Sequence, residues 1–326
     1  MLLRGQLLNR LADGEYHSGA ALGAALGVSR MAVWKHLSAL RELGIELETV
    51  RGRGYRLRNA CELLDADSIL SHVGMGARPL LGPLEVLLET DSTNSRLRQR
   101  ALDGASSGTI CLAEMQHGGR GRRGRRWVSP FASNLYLSLL WRTPLGAAAL
   151  GGLSLVAGIA VLRCLRAFGV TAAGLKWPND VIAGAAKLAG ILIDVAGEAA
   201  GPCAVVVGVG INVAMPPTAA RDIDQTWTDL RTVTGTGDIS RNRLAAGLLD
   251  ELLPALQAFE TDGLQPFMTD WQRYDLVGGR PVNVHLHDTV VQGLARGIDA
   301  GGALLVDTDS GRRRFTSGEV SVRVTA

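Results

Sequence analysis

Residues 116–127 read Gln-His-Gly-Gly-Arg-Gly-Arg-Arg-Gly-Arg-Arg-Trp. Gly118, Gly119, Gly121 and Gly124 are interleaved with Arg120, Arg122, Arg123, Arg125 and Arg126, and Trp127 closes the run. Glycine admits positive φ and close backbone approach, so consecutive N–H groups can turn inward as an anion-binding nest. Arginine adds a permanent charge and a planar fork that matches phosphate or carboxylate oxygens in pairs. On this stretch alone a phosphate-binding loop, a nonspecific nucleic-acid contact and a solvated basic loop all remain open. The flanks position it: Thr109–Glu114 and Asn134–Trp141 both read as buried strands.

Three further places carry polar groups at the ends of apolar runs. Thr90-Asp-Ser-Thr-Asn94 follows a strand over 84–89 and precedes a helix starting near Ser95, where hydroxyls and an amide act as caps or as donors to a polar ligand. Lys187 stands at the mouth of a buried strand, shortly after Lys176-Trp-Pro-Asn-Asp180; it can hold an anionic oxygen or be a hairpin-edge lysine. Asn212 follows Gly208-Val-Gly-Ile and suits a ligand contact or a strand terminus. No Ser-His-Asp or Cys-His constellation stands out. Cys61, Cys111, Cys164 and Cys203 are dispersed without a CxxC pair, which speaks for reduced thiols and against a disulfide frame or a metal site.

The elements that must position these groups fall into three regions. In residues 1–60, Leu3, Leu7, Leu8 and Leu11 have helical spacing, Ser18 caps a second helix, and Ser29 caps a third from Arg30 to about Leu43. A hairpin around Arg51-Gly52-Arg53-Gly54 follows as a basic wing. Nine Lys and Arg against five Asp and Glu give this segment a charge of +4, above the +3 of the whole chain. A winged helix-turn-helix with Ser29, Arg30, Lys35, His36, Arg51 and Arg53 facing operator DNA is the expectation, against a three-helix bundle for protein contacts. Residues 61–272 form a mixed α/β domain with an apolar core helix over 151–168 and an amphipathic helix over 241–259, kinked at Pro254. Residues 273–326 hold four alternating runs, 281–286, 290–298, 303–308 and 319–324, as in a small SH3-like β-barrel. The fold class is thus α+β in three domains. With 326 residues and 47% apolar content the chain can build real cores. No uninterrupted run of about 18 apolar residues and no signal peptide are evident, so the expectation is a cytoplasmic protein without a membrane partner. Lysine is scarce, with only Lys35, Lys176 and Lys187 against 31 arginines.

Taken together, Ser92-Thr93-Asn94, the Gly-Arg-Gly-Arg-Arg-Gly-Arg-Arg-Trp run, Lys176–Asp180 with Lys187-Leu-Ala-Gly190, and Gly208-Val-Gly-Ile-Asn212 resemble the bifunctional biotin–protein ligases that also repress the biotin operon. The order of these motifs, the leading helix-turn-helix and the trailing β-domain extend the resemblance over the whole chain. It implies a biotin–[acetyl-CoA-carboxylase] ligase using ATP, biotin and Mg²⁺. Biotin's carboxylate attacks the α-phosphate to give biotinoyl-5′-AMP, and a lysine of a biotin carboxyl carrier protein then takes the acyl group. By resemblance Ser92, Thr93, Asn94, Gln116, Arg120, Gly121, Arg122 and Lys187 bind biotin. Arg122, Asn179, Lys187, Asn212, Met215 and Trp227 serve the nucleotide, and Lys187, Arg122 and Arg120 act in catalysis. By the same resemblance Asp180 lies with Asn179 and Asn212 near the nucleotide or metal, and His117 receives no role. A homodimer forms when the adenylate is bound and presents two basic helices to a palindromic operator. A lipoate–protein ligase and a non-catalytic ligand-sensing repressor are the rival readings.

Overall fold

The computed structural model describes residues 3–197, 201–237, 239–286, 289–318 and 320–324. The chain forms two compact units, Met1–Leu64 and Asp65–Ala326.

In the first unit, α1 (Leu3–Leu11), α2 (Gly19–Leu26) and α3 (Arg30–Glu42) enclose Leu7, Leu8, Leu11, Leu22, Val33, Leu37 and Leu40. The caps are those the sequence indicates: Ser18 accepts from the Ala21 N–H and Ser29 from that of Ala32. Gly27 ends α2 in the left-handed region at φ 66°, which permits the sharp turn into α3. The hairpin of β1 (Leu47–Val50) and β2 (Gly54–Leu57) follows.

The second unit opens with α4 (Ala66–His72), β3 (Leu84–Leu87), α5 (Thr93–Leu102), β4 (Ile110–Ala113), β5 (Leu135–Thr143) and α6 (Leu153–Ala167). It continues through β6 (Ala173–Lys176), β7 (Asp180–Ala183), β8 (Ala186–Gly197) and β9 (Cys203–Ile211). The helices α7 (Pro217–Ala220), α8 (Leu230–Thr234), α9 (Arg241–Asp262) and α10 (Met268–Tyr274) come next. Its central sheet has the order β3-β4-β5-β9-β8-β7-β6, antiparallel except for the β3/β4 pair.

Strand side chains alternate between faces. One face of β5 and β9 carries Leu140, Ala204 and Val206, against which α5 packs with Leu97 and Ala101. The same face continues into Ser138 and Gly208, met by the first turn of α5, and into Gly210, met by the Trp127 indole. The other face is closed by α6 and α9: Trp141 Nε1 donates to Glu260 at 3.0 Å, and the Gly158 backbone sits close to Leu175 and Ile191. Ala147–Ala167 is long and apolar enough to cross a membrane, yet eleven of the fifteen α6 residues are buried in this core. The helix expected to start near Ser95 begins two residues earlier, so Thr93 and Asn94 form its first turn. α9 continues through Pro254 to Asp262.

The chain ends in an antiparallel sheet of β10 (Pro281–His285), β11 (Val290–Ile298), β12 (Leu304–Thr308), β13 (Gly311–Phe315) and β14 (Ser321–Val324). Its order is β13-β12-β11-β10-β14. Four of these strands correspond to the expected runs, although Glu319 of the run 319–324 lies outside the described residues. β13 was not expected. Its Gly-Arg-Arg-Arg-Phe sequence lacks apolar alternation because residues 311–314 are exposed at the sheet edge, where charged side chains are suited.

Candidate active site

The twelve residues expected to bind biotin or nucleotide all line one cleft of about 940 Å³ on the face of the central sheet that carries Gly208 and Gly210. They come from the α5 N-terminus, the Arg-Gly loop, the β6–β7 turn, the start of β8, the end of β9 and the segment after it. Nine cationic side chains and three carboxylates line this cleft, which favours a polyanionic occupant.

At the entrance of α5, Ser92 caps the helix by accepting from the Ser95 N–H at 3.4 Å. Gln116 Oε1 accepts from both the backbone N–H of Thr93 (2.9 Å) and its hydroxyl (3.1 Å), while its Nε2 donates to Ser129 Oγ at 3.0 Å. The buried Ser138 hydroxyl lies 2.7 Å from Thr93 Oγ1 and 2.6 Å from Asn94 Oδ1. The other end of the Asn94 amide donates to Asp194 Oδ2 (3.1 Å) and the Leu192 carbonyl (3.4 Å). Asn94 is thereby clamped to β5 and β8, and a Cβ on Gly208 would come within 2.0 Å of its Oδ1. Glycine at 208 is required by this close approach, since the amide occupies the space a side chain would fill.

The Arg-Gly loop is folded as a short ribbon. Arg120 and Arg126 form a bridge, Gly121 N donates to Arg125 O, and Trp127 N donates to Gly119 O. Three arginines tie it to three different walls. Arg120 Nη2 lies 3.5 Å from Asp194 Oδ2 on β8. Arg126 Nη1 lies 3.8 Å from Asp222 Oδ2 in the segment after β9. Arg122 donates to Asn179 Oδ1 (3.3 Å) and to the carbonyls of Ser317, Gly318 and Val320 beside β14. Burial works against the Arg122 guanidinium, lowering its pKa, and Asp180 opposes that effect. The Trp127 indole lies over Gly190 and Gly210, where a Cβ on Gly210 would meet it at 2.5 Å. Its ring N–H is buried with no hydrogen-bond partner, a cost of about 1–3 kcal/mol that a polar ligand atom would relieve.

Lys187 projects beside this indole, with Nζ 5.4 Å from the ring centroid. Its side chain is 15% exposed, and Nζ stands 2.7 Å from Asp180 Oδ1, close enough for an ion pair though outside hydrogen-bond geometry. The segment after β9 fixes the backbone here: Lys187 N donates to Thr226 O, and Thr228 N donates to Lys187 O. Asn212 is committed to the same junction, its Nδ2 donating to the Thr228 carbonyl at 3.0 Å and the Lys187 carbonyl at 3.4 Å. Met215 is buried, 3.6 Å through Sδ from Asn134 Nδ2, and Trp227 bridges to Lys187 through the backbone. Asn179 holds the β8 backbone by donating to Ile191 O at 2.7 Å.

The structure adds residues that sequence reasoning left out. Lys176 lines the cleft, and burial pushes its ammonium pKa down against the pull of Asp180. The scarcity of lysine and its place at the head of the Lys176–Asp180 motif both mark it in the sequence, although neither gives it a role. Ser138 and Asp194 organise Asn94 with no motif to announce them. Trp177, between Lys176 and Asn179, anchors the β6–β7 turn to the C-terminal sheet by donating to Gly302 O at 3.0 Å.

In the first unit, Arg30, Lys35, Arg51 and Arg53 are exposed and His36 is half-buried. The Ser29 hydroxyl is engaged as the cap of α3. Arg53 lies 4.2 Å and Arg56 4.7 Å from the centroid of the Tyr16 ring, which steadies the base of the wing.

The sequence profile of the biotin/lipoate A/B protein ligase family matches residues 87–212. That of the biotin protein ligase C terminal domain matches residues 277–323, and that of a helix-turn-helix domain residues 4–56. The bifunctional ligase/repressor BirA of Salmonella typhimurium is 44% identical over 317 residues, covering 97% of this chain and 96% of its own. BirA of Escherichia coli K12 is 42% identical, covering 98% of this chain and 96% of its own. Among solved structures, the biotin protein ligase from Aquifex aeolicus in complex with biotin and ATP is 30% identical. It superposes with a TM-score of 0.64 over 75% of this chain and 100% of that one.

Proposed function

The chain belongs to the biotin/lipoate A/B protein ligase family, and from that premise we propose how its cleft and its N-terminal unit work. It is an ATP-dependent biotin–protein ligase and a biotin-responsive repressor of biotin synthesis genes. The observation that carries the reading is the convergence of the twelve ligand-binding candidates on one cation-rich cleft.

Ser92, Thr93 and Gln116 offer hydroxyl, backbone and amide groups to the polar ring of biotin, with Asn94 holding them in place. Biotin's carboxylate must meet the triphosphate of ATP, two anions that repel until fixed cations stand between them. Arg120, Arg122 and Lys187 supply that charge, and Gly121 allows the loop backbone to come close. A carboxylate oxygen attacks the α-phosphorus, the bond to the β,γ-pyrophosphate breaks, and biotinoyl-5′-AMP forms. The amine of a carrier lysine then attacks the acyl carbon and AMP leaves. Met215, Trp227, Asn179 and Asn212 shape the nucleotide side and, with the Arg-Gly loop, shield the mixed anhydride from water. Among the described residues no group of three His, Cys, Asp or Glu side chains could hold a metal ion. Mg²⁺ therefore fits as an ion borne chiefly by the ATP phosphates, with Asp180 the carboxylate on the cleft floor. Its chemistry there is to neutralise phosphate charge.

Three domains, 1–60, 61–272 and 273–326, divide the work, the last read as an SH3-like barrel. ATP, carrier and operator place that work in the cytoplasm. The operator is met by Arg30, Lys35, His36, Arg51 and Arg53, with Ser29 fixing the start of the helix. Homodimerisation of the adenylate-bound protein would place two such helices on adjacent half-sites. In its support, residues 192–197 of β8 pair with β9 alone, leaving a strand edge on which a second chain can pair. Sedimentation is expected to show mass doubling when biotin, ATP and Mg²⁺ are added together; an unchanged monomer with adenylate bound would refute the dimer.

Biotin is favoured over lipoate by the match of residues 277–323 to the biotin protein ligase C terminal domain. Purified protein with Mg²⁺ is expected to exchange labelled pyrophosphate into ATP with biotin and not with lipoate. Exchange driven by lipoate alone, or by neither acid in a folded protein that binds biotin, would overturn the assignment.

A further inference from the structure

The exposed side of α3 is partly apolar. Met31 is 70% and Trp34 52% exposed, although both are large apolar side chains that normally seek a core. Met31, Trp34, Lys35 and Ser38 follow the three- and four-residue spacing of one helix face, away from the buried Val33, Leu37 and Leu40. The Ser29 cap fixes where this face begins. Arg30 and Lys35 flank these residues along the helix, and Arg51 and Arg53 of the wing are exposed as well. The wing tip repeats the combination, with Val50 exposed beside Arg51.

Four exposed cations on the helix and wing fit a phosphate backbone, and not an apolar protein surface. On the exposed helix face, a thioether and an indole have no base-edge hydrogen bonds to match beyond a single ring N–H. What they can meet in the major groove of duplex DNA is the C5-methyl of thymine, the one apolar group on a base edge there. We infer that Met31 and Trp34 read thymine methyl groups, so that operator choice includes thymines contacted by dispersion and burial and not by the arginines. The inference rests on the repressor reading given above and specifies how its recognition helix discriminates.

The test uses the full-length protein with biotin, ATP and Mg²⁺, and a random duplex library from which bound sites are enriched. Each thymine of an enriched site is then replaced by deoxyuridine, which removes only the methyl group. At one or two positions binding is expected to weaken about fourfold, the worth of one buried methyl-sized group. Trp34→Ala is expected to weaken the enriched site about tenfold, as a lost base contact does, and to abolish the deoxyuridine effect. Its affinity for a scrambled duplex and its salt dependence stay unchanged, because those arise from phosphate contacts. Trp34→Phe, which keeps an apolar ring, retains the deoxyuridine effect. An enriched site that tolerates deoxyuridine at every thymine, or a Trp34→Ala protein that still distinguishes the two bases, overturns the contact and leaves the repressor reading standing. Failure to enrich any site overturns both.

Discussion

Lys187→Ala is expected to lower biotin-dependent pyrophosphate exchange about a hundred- to a thousand-fold, the loss of about 2.7–4 kcal/mol that follows removal of one preorganised donor. The size of the effect comes from where Nζ stands. It lies at the start of β8, with the Trp127 indole on one side and Asp180 on the other, and its backbone is tied on both sides to the segment 226–228. An ammonium so placed is ready for the oxygen that carries charge during both half-reactions. Lys176 projects from the neighbouring β6–β7 hairpin, and burial lowers its pKa. Stability should change little. The ammonium's ionic partner is Asp180, which keeps the positive influence of Lys176 and Arg122 after the substitution. Exchange rates and thermal denaturation measured on the same preparation decide the matter. Turnover within a few-fold of the parent would remove Lys187 from the chemistry, and an unfolded variant would make it a structural residue.

Arg241→Met is expected to cost about 3–5 kcal/mol of folding stability, the penalty for stripping one partner from a buried ion pair. Arg241 is the first residue of α9, and its Nη1 lies 2.8 Å from Glu114 Oε2, with both side chains 4% exposed. The same nitrogen donates to the Asn134 carbonyl at 3.2 Å, where β5 begins. Removing the guanidinium leaves a carboxylate in a core that solvent does not reach. The double variant Glu114→Leu with Arg241→Met removes both charges and should recover most of the loss. Urea denaturation of the single and double variants measures this directly. A single variant as stable as the parent, or a double variant no better than the single, would show that the pair is not the source of the stability. Glu114 also leads into Gln116 and the Arg-Gly loop, so the pair links α9 to the base of that loop.

Much of this arrangement could be read from short stretches of chain. The Ser18 and Ser29 caps, the helix faces of α1 and α3, and the strands around the Arg-Gly loop depend on residues within a few positions of one another. Apolar periodicity and capping chemistry report such local order directly. The strand at 311–315 is not marked by apolar periodicity because Arg312, Arg313 and Arg314 are charged and exposed, and its strand state comes from pairing with β12. The helix expected near Ser95 begins at Thr93 because Ser92 is its cap, a choice that the hydroxyls and the amide of residues 90–94 leave open in sequence.

The sequence by itself determined the kinds of groups available: the arginine fork with glycine freedom, the two lysines of the second unit, the amides and hydroxyls at helix and strand ends. Tertiary structure decided what each is used for. Asn94 reads in sequence as a cap or a ligand contact, and the fold clamps its amide to Asp194, 100 residues away. Arg122 finds backbone carbonyls 195–198 residues further on, and Asn212 is engaged by Lys187 and Thr228. A buried polar group takes whichever partner the packed strands bring within hydrogen-bond reach. That partner is set by sheet order and register, and no spacing along the chain encodes it.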